Sequence, residues 1–320
     1  MNDRLLNWIK PQIDFDWTEY WNEKDRFSSF DQGPLAVSYY QRDQKRLLTG
    51  LFDELIEEIP AAGRVLDVGC GNGAGSAALL AAADQVQKSI NVDMLDLAGI
   101  CPPQSLLERV KITTGDVERL PFPDQTFDLV LSCFCAEFCD ILQVIRESHR
   151  VLKRGGRLAM FVYARESPLV SRQSHYVKIY RNGLKQLLDD IVAGRTASRE
   201  LIQDIRSRIV ADDPPPYFHA HLDAIIDHLE RLTGRGLSEP VDVDARLLPD
   251  GDHLPNVFSV RALQRKLALW DAIDIIALDF HDGFELQRRV QNTRFDDSYI
   301  VPAEFDSALI GYFQAGEKPC

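Results

Sequence analysis

The chain has 320 residues and a formal net charge of −13, with 49 acidic against 36 basic side chains. That length exceeds a minimal single domain, so one catalytic domain with an inserted or covering element is expected. The charge disfavours tRNA, rRNA and DNA as substrates and anionic membrane surfaces as partners, because no long segment supplies a basic footprint.

No apolar run approaches the length of a membrane span, and the start of the chain reads as mixed polar and aromatic rather than as a secretory leader. The six cysteines, Cys70, Cys101, Cys133, Cys135, Cys139 and Cys320, are irregularly spaced, which fits a reducing cytoplasm better than a disulfide framework.

In chain order, residues 1–33 carry Trp8, Phe15, Trp17, Tyr20, Trp21, Phe27 and Phe30 among charges. Two readings stay open: an arm packing its rings on a domain surface, or a lid closing over a ligand. After Gly33-Pro34 a helix is expected from about Leu35 to Ile59, with Leu47, Leu48, Leu51, Leu55 and Ile59 near helical spacing and Pro60 as its stop.

The segment Arg64-Val65-Leu66-Asp67-Val68-Gly69-Cys70-Gly71-Asn72-Gly73-Ala74-Gly75-Ser76 reads as a buried strand released by glycines into a helix over 77–83. Such a turn lets the main chain touch a ligand and take positive φ, and the helix start offers unpaired N–H groups. Gly69-x-Gly71-x-x-Ala74 with Asp93 downstream fits a dinucleotide fingerprint. Asp67-x-Gly69-x-Gly71-x-Gly73 fits instead a ligand with a cationic amino-acid end, since a carboxylate there would repel a pyrophosphate.

Alternating strands at 64–68, 89–93, 110–113, 127–132 and 157–164, with helices between them, indicate a parallel sheet covered on both faces. Ligands of such sheets bind at the carboxyl ends of the strands, where Asp67, Asp93, Asp116 and Ser132 are expected. A helix over 140–152 with Ile141, Val144, Ile145, Ser148 and Leu152 on one side is expected to end at Gly155-Gly156.

Three further segments bear on the choice of ligand: Ser89–Asp93, Gly115-Asp116-Val117-Glu118-Arg119-Leu120-Pro121 running on to Ser132, and Glu147–Leu158. With the glycine turn, in this order and spacing, they resemble class I S-adenosylmethionine-dependent methyltransferases, within the ubiquinone/menaquinone-biosynthesis-like branch, over roughly residues 60–164. The resemblance implies an α/β, Rossmann-like sheet of seven mostly parallel strands with S-adenosylmethionine as cofactor and S-adenosylhomocysteine as product. It implies that Asp67, Gly69, Cys70, Gly71 and Gly73 meet the methionyl part, that Asp93 and Met94 meet the ribose, and that Asp116 and Val117 meet adenine. Ser132 and Cys133 would complete the rim. It also favours the lid reading of the arm, with Tyr20, Tyr39 and Tyr40 near the bound ligands.

Ser132-Cys133-Phe134-Cys135-Ala136-Glu137-Phe138-Cys139-Asp140 departs from the Leu-His-His-like segment of many relatives. A general-base histidine cannot be carried over, and Glu137 becomes a candidate base or anchor for a cationic group. Cys133 and Cys135, at period two on a strand end, read as small buried residues rather than metal ligands, because no second pair completes a four-ligand site. No metal is expected.

From Arg165 to about Asn256 the pattern turns helical: Val170 to Ile191, Leu201 to Ile209, and Leu222 to Leu232, with Asp212-Asp213-Pro214-Pro215-Pro216 between the last two. We expect a helical cap, inserted after the fifth strand, that shapes the substrate pocket and excludes water. Within it His175, Tyr176, Tyr217, His219 and His221 are candidate substrate contacts or bases. His219-x-His221 at helical spacing points its rings apart and is a poor metal pair. Ser259 is expected to cap a helix over 260–270, followed by a strand Asp274–Phe280, a turn His281-Asp282-Gly283, a strand near Ser298–Pro302 and a frayed end at Lys318-Pro319-Cys320.

The domain limits expected are 1–50 for arm and lid, 51–164 for the cofactor core, 165–257 for the cap and 258–320 for the end of the core. The activity expected is methyl transfer to an O or N atom of a small-molecule or peptidic acceptor in specialised metabolism. A carbon acceptor of quinone or polyketide type is the alternative, with an NAD-dependent oxidoreductase and a non-catalytic S-adenosylmethionine binder as readings of other classes. The quaternary state is open and includes a homodimer.

Overall fold

The computed structural model of the chain describes residues 15–22, 52–167, 170, 174–193, 195, 198–211, 226–227, 229, 241–242, 257–258, 260–278, 280–305 and 308–319. These residues divide into two compact units, one of 15–167 with 276–319 and the other of 170–275.

The first unit is built on one sheet. Its strands are β1 (Gly63–Val68), β2 (Ile90–Asp96), β3 (Val110–Thr114), β4 (Phe127–Cys133), β5 (Leu152–Tyr163), β8 (Asp296–Phe305) and β9 (Ala308–Glu317). Their order is β3-β2-β1-β4-β5-β9-β8. The first five are parallel, and β9 runs antiparallel between β5 and β8. This is the seven-stranded, mostly parallel, Rossmann-like sheet that was expected.

The alternation of apolar side chains along each strand explains the layering. Leu66, Leu95, Val130, Leu158 and Met160 point to one face, where α5 (Ile141–Val151) and α10 (Phe280–Asn292) cover them. Val65, Val92, Met94, Leu131 and Phe161 point to the other, against Phe52, Leu55 and Ile56 from a helical stretch over 52–58 (α2) and Leu79 and Leu80 from α3 (Ala74–Gln85). Both faces are buried, so the strands read as continuous apolar runs. Each fully buried Leu, Ile, Val or Phe contributes about 1.5–3 kcal/mol. A one-turn helix α4 (Gln104–Leu107) leads into β3, and α1 (Trp17–Trp21) begins at Asp16, whose carboxylate accepts from the Glu19 N–H at 2.8 Å.

Several sequence expectations are corrected here. The segment Asp274–Phe280 is not a strand: α9 (Val260–Ile276) runs on through Ile276, and only Leu278 makes a single parallel bridge, to Ala164. His281, Asp282 and Gly283 lie inside α10 rather than in a turn. The closing pair of the sheet is β8 and β9. Gly155-Gly156 does not stop α5, which ends at Val151 where Leu152 turns extended and starts β5. Lys318 is tied down, donating through Nζ to the carbonyls of His149 and Leu152 at 2.8 Å each.

The second unit is mainly helical. It holds α6 (Ser174–Ile179), a wide turn Tyr180–Leu184 with Gly183 at φ 134°, α7 (Lys185–Val192), α8 (Arg199–Ala211) and most of α9. β6 (Val241–Asp242) and β7 (Val257–Phe258) form a short antiparallel pair. Leu187, Leu188, Ile205 and Ile209 are buried together with Tyr176, Leu267 and Trp270. Because Leu267 and Trp270 belong to this cluster, most of α9 groups with the helical unit rather than with the core domain starting at 258. Arg181 pairs with Asp271 and, at 2.9 Å, with Asp274.

Candidate functional site

At the carboxyl ends of β1, β2 and β4 the backbone opens into a rim. Three glycines after β1 take left-handed conformations, Gly69 at φ 63°, Gly71 at 51° and Gly73 at 89°, where a side chain would be strained. A Cβ at Gly69 would also collide with Cys135, and one at Gly71 with the indole of Trp21.

Asp67 supplies the charge of the rim. Its carboxyl is 1% exposed; Oδ2 accepts from Ser76 Oγ at 2.7 Å, while Oδ1 has no hydrogen-bond partner among the described residues. Burial lifts its pKa to about 7, against the opposing hydrogen bond of Ser76. Of the five buried side-chain polar atoms left without a partner among the described residues, three lie here: Asp67 Oδ1, Ser132 Oγ and Glu137 Oε2. Such atoms are costly unless a ligand or water meets them.

Asp93 is a correction. The expectation placed it at the end of the second strand, but β2 continues through Asp96, and Leu66 stands opposite Asp93 in register. Both Asp93 oxygens are taken by Arg64, Nε at 2.7 Å and Nη2 at 3.0 Å. Asp96 holds the strand end instead. Its carboxylate accepts from Gly71 N–H at 2.8 Å and Ala98 N–H at 2.9 Å, and burial pushes its pKa up. Met94 is fully buried, and a Cβ on Gly73 would crowd its side chain.

Next to Asp96, whose carbonyl accepts from Gly115 N–H at 3.0 Å, lies Asp116. Asp116 is exposed and its Oδ1 accepts from the Glu118 N–H at 2.8 Å; Val117 is buried with Leu66 and Leu95. The rim thus collects Asp67, Asp96, Asp116 and Ser132 and leaves Asp93 out.

Beyond β4, Glu137 sits in a single turn of 3-10 helix, Ala136–Phe138, and is fully buried. Its Oε1 accepts from the Tyr163 N–H at 3.0 Å. Burial, only partly offset by backbone hydrogen bonds, lifts its pKa to about 7. A carboxyl so poised can take or give a proton near neutrality. Burial, with Asp67 and Glu137 as further causes, pushes the Cys133 thiol up, and its hydrogen bond with Cys139, followed by burial, raises Cys135. Burial likewise raises Cys70. These thiols are protonated near neutrality and poor nucleophiles.

α1 roofs the glycine turn. The Trp21 carbonyl accepts from Asn72 Nδ2 at 2.8 Å, Gly99 N–H donates to Thr18 Oγ1 at 3.1 Å, and Asn22 Nδ2 donates to the Gly99 carbonyl at 2.9 Å. Trp17 meets the Phe138 ring edge-on, with centroids 5.0 Å apart. Tyr20 is buried against Trp21, with centroids 5.0 Å apart. The aromatics of the arm, Trp17 and Trp21 among them, form a pattern of rings among charges that says nothing of which glycine they cover.

The other expected residues lie elsewhere. Tyr176 packs on Trp270, centroids 5.3 Å apart, within the helical unit. His175 belongs to α6, of which only the backbone is described at that position. Tyr39, Tyr40, Tyr217, His219, His221 and Ser259 lie outside the described residues.

Residues 66–160 match the methyltransferase domain family. Among similar proteins, an uncharacterised methyltransferase of Bacillus subtilis, YcgJ, is 37% identical over 131 residues, 39% of this chain and 51% of its own length. A malonyl-[acyl-carrier protein] O-methyltransferase of Dechloromonas aromatica is 31% identical over 121 residues, covering 37% of this chain and 42% of that one. Ajmaline N-methyltransferase of Rauvolfia serpentina is 36% identical over 115 residues, 34% and 39% of the two chains. The matched part therefore spans about half or less of these relatives. The similarity to the methyltransferase domain family thus takes in the glycine turn after β1 together with β2, β3 and β4, and it ends before the helical unit.

Proposed function

We propose that the chain transfers the methyl group of S-adenosylmethionine to an O or N atom of a small-molecule or peptidic acceptor. The observation that carries this reading is the buried, half-paired carboxylate of Asp67 beside three left-handed glycines. An anionic strand end with an open acceptor atom favours a cationic amino-acid group and disfavours the pyrophosphate of a nicotinamide cofactor. When bound, S-adenosylmethionine supplies a methyl group on a positively charged sulfur.

The residues present fit that group. Asp67 and the Gly69–Gly73 backbone would hold the amino-acid end, with Cys70, Ser132 and Cys133 beside it. Asp96, rather than Asp93, is the carboxylate available to a ribose, and Asp116 with Val117 would take adenine. Glu137 is the candidate for accepting a proton from the acceptor or for anchoring a cationic group on it. Alignment of a desolvated nucleophile supplies much of the rate in such transfers, so a strong base is not required.

O- and N-methyltransferases both stand among the relatives, which supports a heteroatom acceptor over the carbon acceptor of the quinone branch. We place acceptor selection in the helical unit, which follows β5 in the chain and lies outside the matched residues. Two measurements test the reading. Thermal-shift titration should show stabilisation by S-adenosylhomocysteine and none by NAD, and methyl-labelled cofactor with cell extract should yield a labelled product. Stabilisation by NAD alone would reject it.

A further inference from the structure

Along α5, from Leu142 to His149, and against the end of α10 lies a cavity of about 400 Å³ lined by Arg146, His149, Arg289, Asn292, Thr293 and Arg294, with Leu142 at its wall. No carboxylate lines it. In a chain of net charge −13, three guanidiniums around one cavity need a reason.

Capping of the helix ends does not supply it. The last carbonyls of α5 are already served: Ser148 by the Leu152 N–H, His149 and Leu152 by Lys318 Nζ, Arg150 by the Gln125 N–H and Val151 by the Thr126 N–H. At the end of α10, the N–H groups of Thr293 and Arg294 and the Thr293 hydroxyl serve the carbonyls of Arg289, Val290 and Gln291. Ion pairing does not supply it either. Arg289 pairs with Glu285 at 2.7 Å, but the guanidiniums of Arg146 and Arg294 have no hydrogen-bond or ion-pair partner among the described residues. They come from separate elements, α5 and the turn after α10, where Arg294 stands in the left-handed region at φ 69°.

We propose that this cavity is a second binding site, for the phosphate group of a soluble phosphorylated molecule. Guanidinium forks match phosphate oxygens in bidentate geometry, the Asn292 amide offers a neutral donor, and a cavity of this size seats a phosphate or pyrophosphate with part of its ester. The overall negative charge repels an anionic membrane, so the source is a soluble molecule rather than a lipid headgroup. The site is independent of the methyl-transfer reading, since it shares no residue with the glycine rim.

The test is calorimetric titration of the full chain with pyrophosphate at constant ionic strength, comparing wild type with Arg146→Gln, Arg294→Asn and the double variant. Asparagine tolerates the left-handed backbone at 294, both side chains are exposed, and a melting curve for each variant confirms folding. Saturable wild-type binding, weakened about tenfold or more by each substitution and lost in the double variant, supports the site; Arg146→Lys, which keeps the charge but not the fork, should fall between. Equal binding by the double variant, or heats no different from those of added sodium chloride, overturns it. Retention of wild type but not of the double variant on phosphatidic-acid vesicles would overturn the soluble source.

Discussion

Ser76 Oγ donates to Asp67 Oδ2 at 2.7 Å across the glycine turn, and the other oxygen of the same carboxylate is buried with no partner among the described residues. The hydroxyl on the first turn of α3 thus fixes the carboxylate and leaves one acceptor for a ligand. Asp67→Asn removes the charge while keeping the shape, so S-adenosylhomocysteine should bind at least tenfold more weakly, the loss of a charge-assisted bond of about 1.5–3 kcal/mol. The free protein should be no less stable, because a buried charge has been removed. Calorimetry with the product and a urea melt of the free protein check both halves. Unchanged affinity would sink the role assigned to Asp67.

Gly71 and Trp21 are coupled in a measurable way. Gly71→Ala must absorb both the left-handed backbone, about 1–2 kcal/mol, and a collision with the indole. In a Trp21→Ala background only the first cost remains. The cycle of single and double variants should therefore show a coupling of about 1 kcal/mol in thermal or urea stability. Additive effects would mean that the indole does not seat on this glycine.

Glu137 makes stability depend on pH with a defined sign. Its folded pKa of about 7 lies above the ordinary 4.5, so its contribution is complete below about pH 4.5, erodes as pH rises, and is gone above about 7. The full effect is on the order of 3 kcal/mol. Glu137→Gln, which never ionises, should match wild type near pH 4.5 and exceed it at pH 8.5. Parallel urea midpoints for the two proteins across that range would show that the carboxyl is not buried as described.

What could be read from the sequence was what local pattern decides. β1, the glycine turn and α3 follow from consecutive residues, and the two-faced sheet follows from the apolar runs of β2, β4 and β5. The errors arose where partners distant in sequence decide. Asp274–Phe280 has the β-branched content of a strand, yet α9 keeps its helical register through Ile276 because Leu267 and Trp270 face Tyr176 and Ile205 in a common cluster. Gly311 and Gly316 dilute the pattern of β9, although pairing with both β5 and β8 makes it a central strand. The roofing of the turn by Trp21 rests on Asn72, some fifty positions away, and no periodicity reports such a contact.

The length of β2 yields a sharp pair of variants. Parallel pairing carries β2 on past Asp93 because Met94 and Leu95 are buried opposite Asp67 and Val68, so the acid that ends the strand is Asp96. Asp93, 3% exposed and held by both Arg64 contacts, is then part of the scaffold. Asp93→Asn should lower stability by about 1–3 kcal/mol, since it weakens a charged pair and leaves Arg64 half-buried without its partner. It should leave the affinity for S-adenosylhomocysteine within about twofold, a difference below 0.5 kcal/mol. Asp96→Asn weakens the acceptor that fixes Gly71 and Ala98, so product affinity should fall about tenfold or more, the value of one charge-assisted hydrogen bond. Calorimetric titration of both variants, each referenced to its own melting curve, separates the two roles. If Asp93→Asn loses the affinity and Asp96→Asn retains it, the strand ends three residues earlier than described and Asp93 returns to the rim.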